Sequence, residues 1–301
     1  MSDFRQHLYG TLLGSAIALL WLFPTSAQTI SSPIHALVQR EIVLSDLADA
    51  DVVYLGETHD RIADHEAQLD IVKALHARDP DIAIGLEMFQ RPFQAVLEHY
   101  IAGDINEAQL RHRSEYDERW GFDWKLYAPI LRFARDEGIP LLALNTPAEV
   151  TRKVAREGLD SLTADEKRYI PKRDSIQTDD SAYNAYIRAI FDRFHAEVGN
   201  HTANDDNDGF DRFFQAQVLW DETMADAIAH ALADEPERQV VVLVGQGHVL
   251  HNYGLPSRVA RRIDEISDTF TQRTILLNAD ATEADTAAPP IADYLWDNES
   301  P

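Results

Sequence analysis

The sequence predicts an α/β fold, a parallel or mixed central sheet flanked by helices, on three observations. Apolar runs of strand length recur along the chain, helical patterns broken by Gly or Pro separate several of them, and polar residues gather where several of the runs end. A length of 301 residues with 45% hydrophobic residues suits one large domain with a packed core and room for an insertion.

Pro33 to Leu47 reads as a helix or turn packed ahead of the first strand. That strand, Val52 to Leu55, stops at Gly56, which lets the backbone turn, and delivers Glu57, His59, Asp60, Asp64 and His65 in quick succession. Ligands of an open α/β sheet sit beyond the carboxyl ends of its strands, so a polar burst there marks a site. A helix from about Asp64 follows, with Leu69, Val72 and Leu75 at helical spacing, and Asp79-Pro80 ends it. Ile82 to Met88 is a second strand that carries Glu87 to the same edge.

From Phe89 to Asp136 the pattern is helical, with Tyr116, Trp120, Phe122, Trp124 and Tyr127 clustered as core aromatics are. The helix Tyr127 to Glu137 leads through Gly138 and Pro140 into a third strand, Leu141 to Leu144, closed by Asn145. Such a unit argues for parallel pairing. Residues 148 to about 237 hold helical segments and no strand pattern, which reads as a helical insertion or cap with an exposed polar loop at Gly199 to Gly209. Val240 to Val244 is the most hydrophobic strand and meets Gly245-Gln246-Gly247-His248, where two glycines permit close backbone approach. A helix from Arg258 to Ile266, a strand from Thr274 to Leu277, an acidic linker from Asp280 to Ala288 and a last segment, Ile291 to Trp296, complete the chain.

The net charge of −24 disfavours nucleic acid and anionic lipid surfaces as partners. With no cysteine there is no disulfide, no thiolate nucleophile and no residue to acylate, so no lipid anchor is expected. Residues 1–27 have the pattern of an export signal: Arg5, the apolar run Leu8 to Phe23, then Thr25 and Ala27, with cleavage expected before Gln28. The chain is therefore expected in the periplasm, or held to the membrane by this helix if it is not cleaved.

The strand ends gather Glu57, His59, Glu87, Asn145 and His248. As a metal site, Glu57, His59 and His248 suit a divalent ion that activates water. Without metal, a histidine and a glutamate act as base and acid on an ester or similar bond. Each histidine alone also has an ordinary structural reading; it is the recurrence at several strand ends that marks the set. His65 reads as a cap or support, and His76, His195, His201 and His230 as surface residues. No phosphate loop, dinucleotide fingerprint or serine-nucleophile elbow is present.

The segments LGETHD (Leu55 to Asp60), GLEMFQRPFQ (Gly85 to Gln94), YAPILRFARDEGIPLLALNTP (Tyr127 to Pro147), AQVLWDETMA (Ala216 to Ala225), VVLVGQGHVLHNYGLPSR (Val241 to Arg258) and ADYLW (Ala292 to Trp296) resemble the ChaN-like family. This is the haem-binding uptake branch of the superfamily that contains Tiki, with erythromycin esterases and TraB-type proteins more distant. The resemblance implies a bacterial envelope protein linked to haem and iron uptake, with haems paired at a homodimer interface. It implies catalytic use of Glu57, His59, Glu87 and His248 if the chain is an enzyme. For the haem ligand, Tyr253, His251 and Tyr116 are the candidates, since phenolate and imidazole both ligate ferric haem. The Asp-rich stretch Asn204 to Asp211 matches no family motif.

Overall fold

The computed structural model describes residues 33–198, 206–264, 269–278 and 290–297. The expected export signal, His201 and the expected acidic linker lie outside these residues. Six parallel strands form one sheet in the order β3-β2-β4-β1-β5-β6: β1 (Val52–Glu57), β2 (Ile82–Gln90), β3 (Leu141–Asn145), β4 (Gln239–Gly245), β5 (Gln272–Leu277) and β6 (Tyr294–Trp296). Of the parallel and mixed alternatives, the sheet is the parallel one. The inner strands β1, β2 and β4 are near-continuous apolar runs, and β5 becomes one from Ile275 on, because helices cover both faces, as in parallel sheets generally.

One face carries α1 (Pro33–Ala48), α2 (Ile62–Arg78), α3 (Gln94–Ile101), α4 (Glu107–Arg113), α5 (Tyr116–Arg119) and α6 (Trp124–Glu137). The core on this face runs from Val53, Leu55 and Ile84 in the strands to Ile71, Leu75 and Leu131 in the helices. Helix α6 ends at Gly138 in the left-handed conformation (φ 73°), a position that costs glycine nothing, and Ile139 then turns into β3. On the other face lie α7 (Ala148–Glu157), α9 (Asp206–Asp234) and α10 (Leu255–Ile263), with α8 (Ser181–Val198) packed outside α9. Between β3 and β4 the described residues are helix and turn alone.

Several boundaries differ from the sequence reading. β1 and β2 run on to Glu57 and Gln90, so Glu57 closes its strand and Glu87 lies within one. Gly56 is inside β1 and makes no turn: a Cβ there would stand 2.9 Å from Val249 Cγ2 and 3.0 Å from Leu276 Cδ2. Close packing is what requires the glycine. Residues 206–209 of the expected loop belong to α9, where acidic Asp208 and Asp211 suit the positive end of the helix dipole.

Helix α9 is tied to its surroundings by one buried carboxylate. Glu222, fully buried, faces Arg261 Nη2 at 2.7 Å, Arg262 Nη2 at 2.6 Å and Arg258 Nε at 3.5 Å, and also accepts from the Gln177 backbone at 3.0 Å. Isolated, such a charge would cost several kcal/mol; surrounded, it fixes the rotation of α9 about its axis. That rotation decides where the neighbouring Asp221 points.

Candidate functional site

The site lies where β1, β2 and β4 end, and its groups form two histidine–carboxylate units. In the first, Glu57 Oε1 accepts from His59 Nδ1 at 2.8 Å and from Tyr127 Oη at 2.5 Å, while Glu57 Oε2 accepts from Gln68 Nε2 at 2.5 Å. His65 supports this unit: its Nε2 donates to the His59 carbonyl oxygen at 3.0 Å, and its ring lies edge-on to Tyr127. Burial and the adjacent Glu57 carboxylate both raise the Tyr127 phenol, which therefore stays protonated and donating. Burial lowers the affinity of His59 for a proton, but the hydrogen bond to Glu57 and the nearby Glu87 charge outweigh it, and the net shift is upward. The His59 side chain remains 26% exposed, between Trp120 and Phe122 at ring distances of 5.0 and 4.8 Å.

The second unit is centred on His248, presented by the 3-10 turn after β4. Its Nδ1 stands 2.6 Å from Asp221 Oδ1 and its Nε2 stands 3.4 Å from Glu87 Oε1. Asp221, fully buried in α9, also accepts from Tyr183 Oη at 2.5 Å. Burial opposes the imidazolium, yet Glu87 and Asp221 together push it up to about 10. Glu87 is buried as well, which favours its neutral form, but His248, His59 and a 2.7 Å hydrogen bond from the Gly245 amide hold its carboxyl below the ordinary range. At neutral pH the unit is thus a charged imidazolium between two carboxylates, both buried.

Gly245 joins the two units. A Cβ at this position would stand 2.8 Å from both Cε1 and Nε2 of His59, so the ring lies directly over the last residue of β4. Gly254 is equally constrained: a Cβ there would run into the His248 carbonyl oxygen. Asn145, expected among the reacting groups, braces instead, donating from Nδ2 to the Glu87 carbonyl at 2.9 Å and accepting from the Thr146 amide at 2.7 Å.

The structure brings Glu57, His59, Glu87 and His248 to one edge. It does not assemble Glu57, His59 and His248 as a metal set, and among the described residues no group of three His, Asp or Glu is arranged to hold an ion. Carboxylates orient both rings through Nδ1, Glu57 for His59 and Asp221 for His248, and His248 Nε2 faces Glu87 Oε1 at 3.4 Å. Asp221, Tyr183, Gln68 and the support role of Tyr127 were not found by reading strand ends. The signal for Asp221 was the pair Asp221-Glu222 inside an otherwise apolar helical run, Val218 to Ala225.

The three haem candidates separate. Tyr116 is 1% exposed and packs among Phe89, Trp124 and Tyr127, so a ligand at the surface cannot reach it. His251 and Tyr253 are half-buried neighbours with ring centroids 5.3 Å apart, and Tyr186 of α8 completes a trio at 5.9 and 6.0 Å. His251 and Asn252 adopt left-handed backbone, φ 56° and 59°, which is uncommon outside glycine and concentrates at functional positions. An imidazole and a phenol side by side at the surface fit the donor chemistry of ferric haem.

Comparison with known proteins identifies the family. The family model described as haem-binding uptake, Tiki superfamily, ChaN matches residues 43–259. Among curated proteins, the chain is similar to Protein RETICULATA-RELATED 5, chloroplastic, of Arabidopsis thaliana, 29% identical over 290 residues. That match covers 90% of this chain, which spans 37% of the plant protein. Among solved structures, ChaN of Campylobacter jejuni, described with cofacial haem, matches with a TM-score of 0.62 and 19% identity over 84% of this chain and 91% of that one. An erythromycin esterase in its open conformation matches with a TM-score of 0.46 and 17% identity, over 79% of this chain and 72% of the other. With the match covering most of the chain, including both strand-end units and the His251–Tyr253 pair, this protein belongs to the haem-binding uptake family of ChaN, in the Tiki superfamily.

Proposed function

We propose that the protein binds haem for an iron-acquisition system of a bacterial envelope, with Tyr253 or His251 as the iron ligand and Tyr186 beside them. The observation that carries this reading is the surface pairing of His251 and Tyr253 inside the span matched by the haem-binding family. When bound, haem supplies a ferric centre for transfer; the chain's part is to present a nitrogen or phenolic oxygen and to stack aromatic rings beside the macrocycle. The family resemblance, which implies haems paired between two copies, supports a homodimer formed through this surface, and the pattern of residues 1–27 supports export. The plant relative's name places that protein in a chloroplast. A haemin titration followed by absorbance and by solution mass is the test. A saturable Soret shift with a doubled mass is expected, and Tyr253→Phe or His251→Ala should displace the band. If micromolar protein leaves the haemin spectrum unchanged and its own tryptophan fluorescence unquenched, the reading is wrong.

A second reading is favoured by the two histidine–carboxylate units, which iron binding at His251 does not use. His59, oriented through Nδ1 by Glu57 and with its side chain 26% exposed, can take a proton from water as the water oxygen bonds to an acyl carbon. His248, held charged, can give its proton to the leaving oxygen or nitrogen as that bond breaks. Water is thereby divided between the two products and both histidines are restored by exchange with solvent. On this reading Glu57→Gln and His248→Ala each lower ester or peptide turnover by about a hundredfold or more while the folded spectrum is kept. Wild-type rates in both variants would exclude it.

A further inference from the structure

A cleft of about 310 Å³ lies beside the histidine units, between α7 and α9, floored by Met88 and Gln90 of β2 and Asn145 of β3. It is joined to both units by shared residues. Trp120 lines it and packs on His59; Gln217 and Trp220 line it and approach His248, with Gln217 Nε2 3.3 Å from Nδ1 and the Trp220 ring 6.0 Å away. The walls are largely apolar, with Trp120, Phe213 and Trp220 among the lining residues. Its size falls at the lower end of ligand pockets, roughly 300 to 1,000 Å³.

Its charge is opposite to that of the molecule. Acidic residues outnumber basic ones by 51 to 27 in the chain, yet the lining contains Arg119 and Arg152 and no Asp or Glu. Arg119 is engaged by Glu115, Glu149 and Gln90, whereas Arg152, exposed on α7, makes no hydrogen bond or close ion pair among the described residues and feels Glu149 only through space. Next to it, the hydroxyl of buried Thr151 also lacks a partner. A buried hydroxyl without a partner is unfavourable, and a ligand oxygen arriving in the cleft would relieve it.

We propose that the substrate of the Glu57–His59 and His248 units is an ester or amide with an apolar body and a carboxylate, the body in this cleft and the carboxylate on Arg152. This rests on the hydrolytic reading, and names its substrate class. The bond to be cleaved then faces His59 and His248, where water is split as described above, while the arginine contact is made equally by substrate and by acid product.

The test uses the full chain and two probes of one shape, octanoate and 1-octanol, titrated by tryptophan fluorescence, since Trp120 and Trp220 both line the cleft. Octanoate should bind about tenfold more tightly than octanol. Arg152→Gln should bring the two within about twofold of each other. Equal affinities in the wild type, or an octanoate affinity unchanged by Arg152→Gln, would overturn the proposal. Turnover of nitrophenyl octanoate and of the nitrophenyl monoester of octanedioic acid separates the two ideas. Hydrolysis of both with no preference for the charged ester leaves the hydrolase and removes the carboxylate specificity. Arginine-dependent octanoate binding with no turnover of either ester keeps the ligand class and removes the hydrolase.

Discussion

Two histidines a few ångströms from the same carboxylate carry different protons, and that difference has consequences for pH. His59 and His248 both lie above the ordinary imidazole value of 6.5, His248 at about 10 because Glu87 and Asp221 flank it. If His59 is the base, kcat/KM rises as His59 loses its proton, above 6.5, and falls again as His248 loses its own near 10. A profile of kcat/KM against pH should therefore be bell-shaped and displaced to the alkaline side. Stability follows the same group with the sign of a raised pKa: the contribution is complete below about 6.5 and disappears as pH rises through about 10. Melting temperature measured across that interval should fall, and Asp221→Asn should flatten the fall. Glu57, His59, Glu87 and His248 were legible in the sequence because strand ends can be read from apolar runs. Asp221 was not, since its reach to His248 depends on how a helix 27 residues earlier in the chain crosses the sheet. Tyr116 misled for the converse reason: a tyrosine in a dense aromatic stretch is usually core, and here it is.

At the scale of the element, the turn after β4 does the positioning. β4 ends in a glycine under the His59 ring, β1 pairs with it directly in parallel register, and the 3-10 turn then carries His248 toward α9. Gly56 reads in sequence as a turn and is instead required by what packs against it, whereas Gly245 reads as a point of close backbone approach, and the His59 ring lies against it. Gly245→Ala should accordingly move the His59 ring without unfolding the chain, because an imidazole at the end of a side chain can swing away. The expected result is a loss of about a hundredfold in hydrolytic turnover, the usual effect of an ångström-scale displacement, with circular dichroism and melting close to wild type. A variant that melts normally and turns over normally would show that His59 does not need its place over β4. The strands themselves were legible to within a few residues, since uninterrupted apolar runs have one comfortable location, between two helical layers. The helix boundaries were not, and the start of α9 shows why: Asn and Asp suit loops and helix N-termini alike.

For the whole molecule the dominant property is charge. With a net charge of −24, the chain repels at long range any anion that approaches it, and haemin carries two propionates. A haem site on such a surface has to attract its ligand at short range, through iron ligation and aromatic contact, against the long-range field. The field is screened over a distance that shrinks from about 30 Å at 0.01 M salt to about 8 Å at 0.15 M. Stopped-flow association of haemin should therefore speed up as salt is added across this range, the reverse of an electrostatically steered encounter, while the dissociation rate changes little. Tyr253→Phe should slow ligation without altering the salt dependence, because the field belongs to the whole surface and the ligation to one side chain. A rate that falls with salt would place the entry point in a locally basic region, and the cleft that holds Arg119 and Arg152 would then be the entry point to examine, in place of the His251–Tyr253 pair.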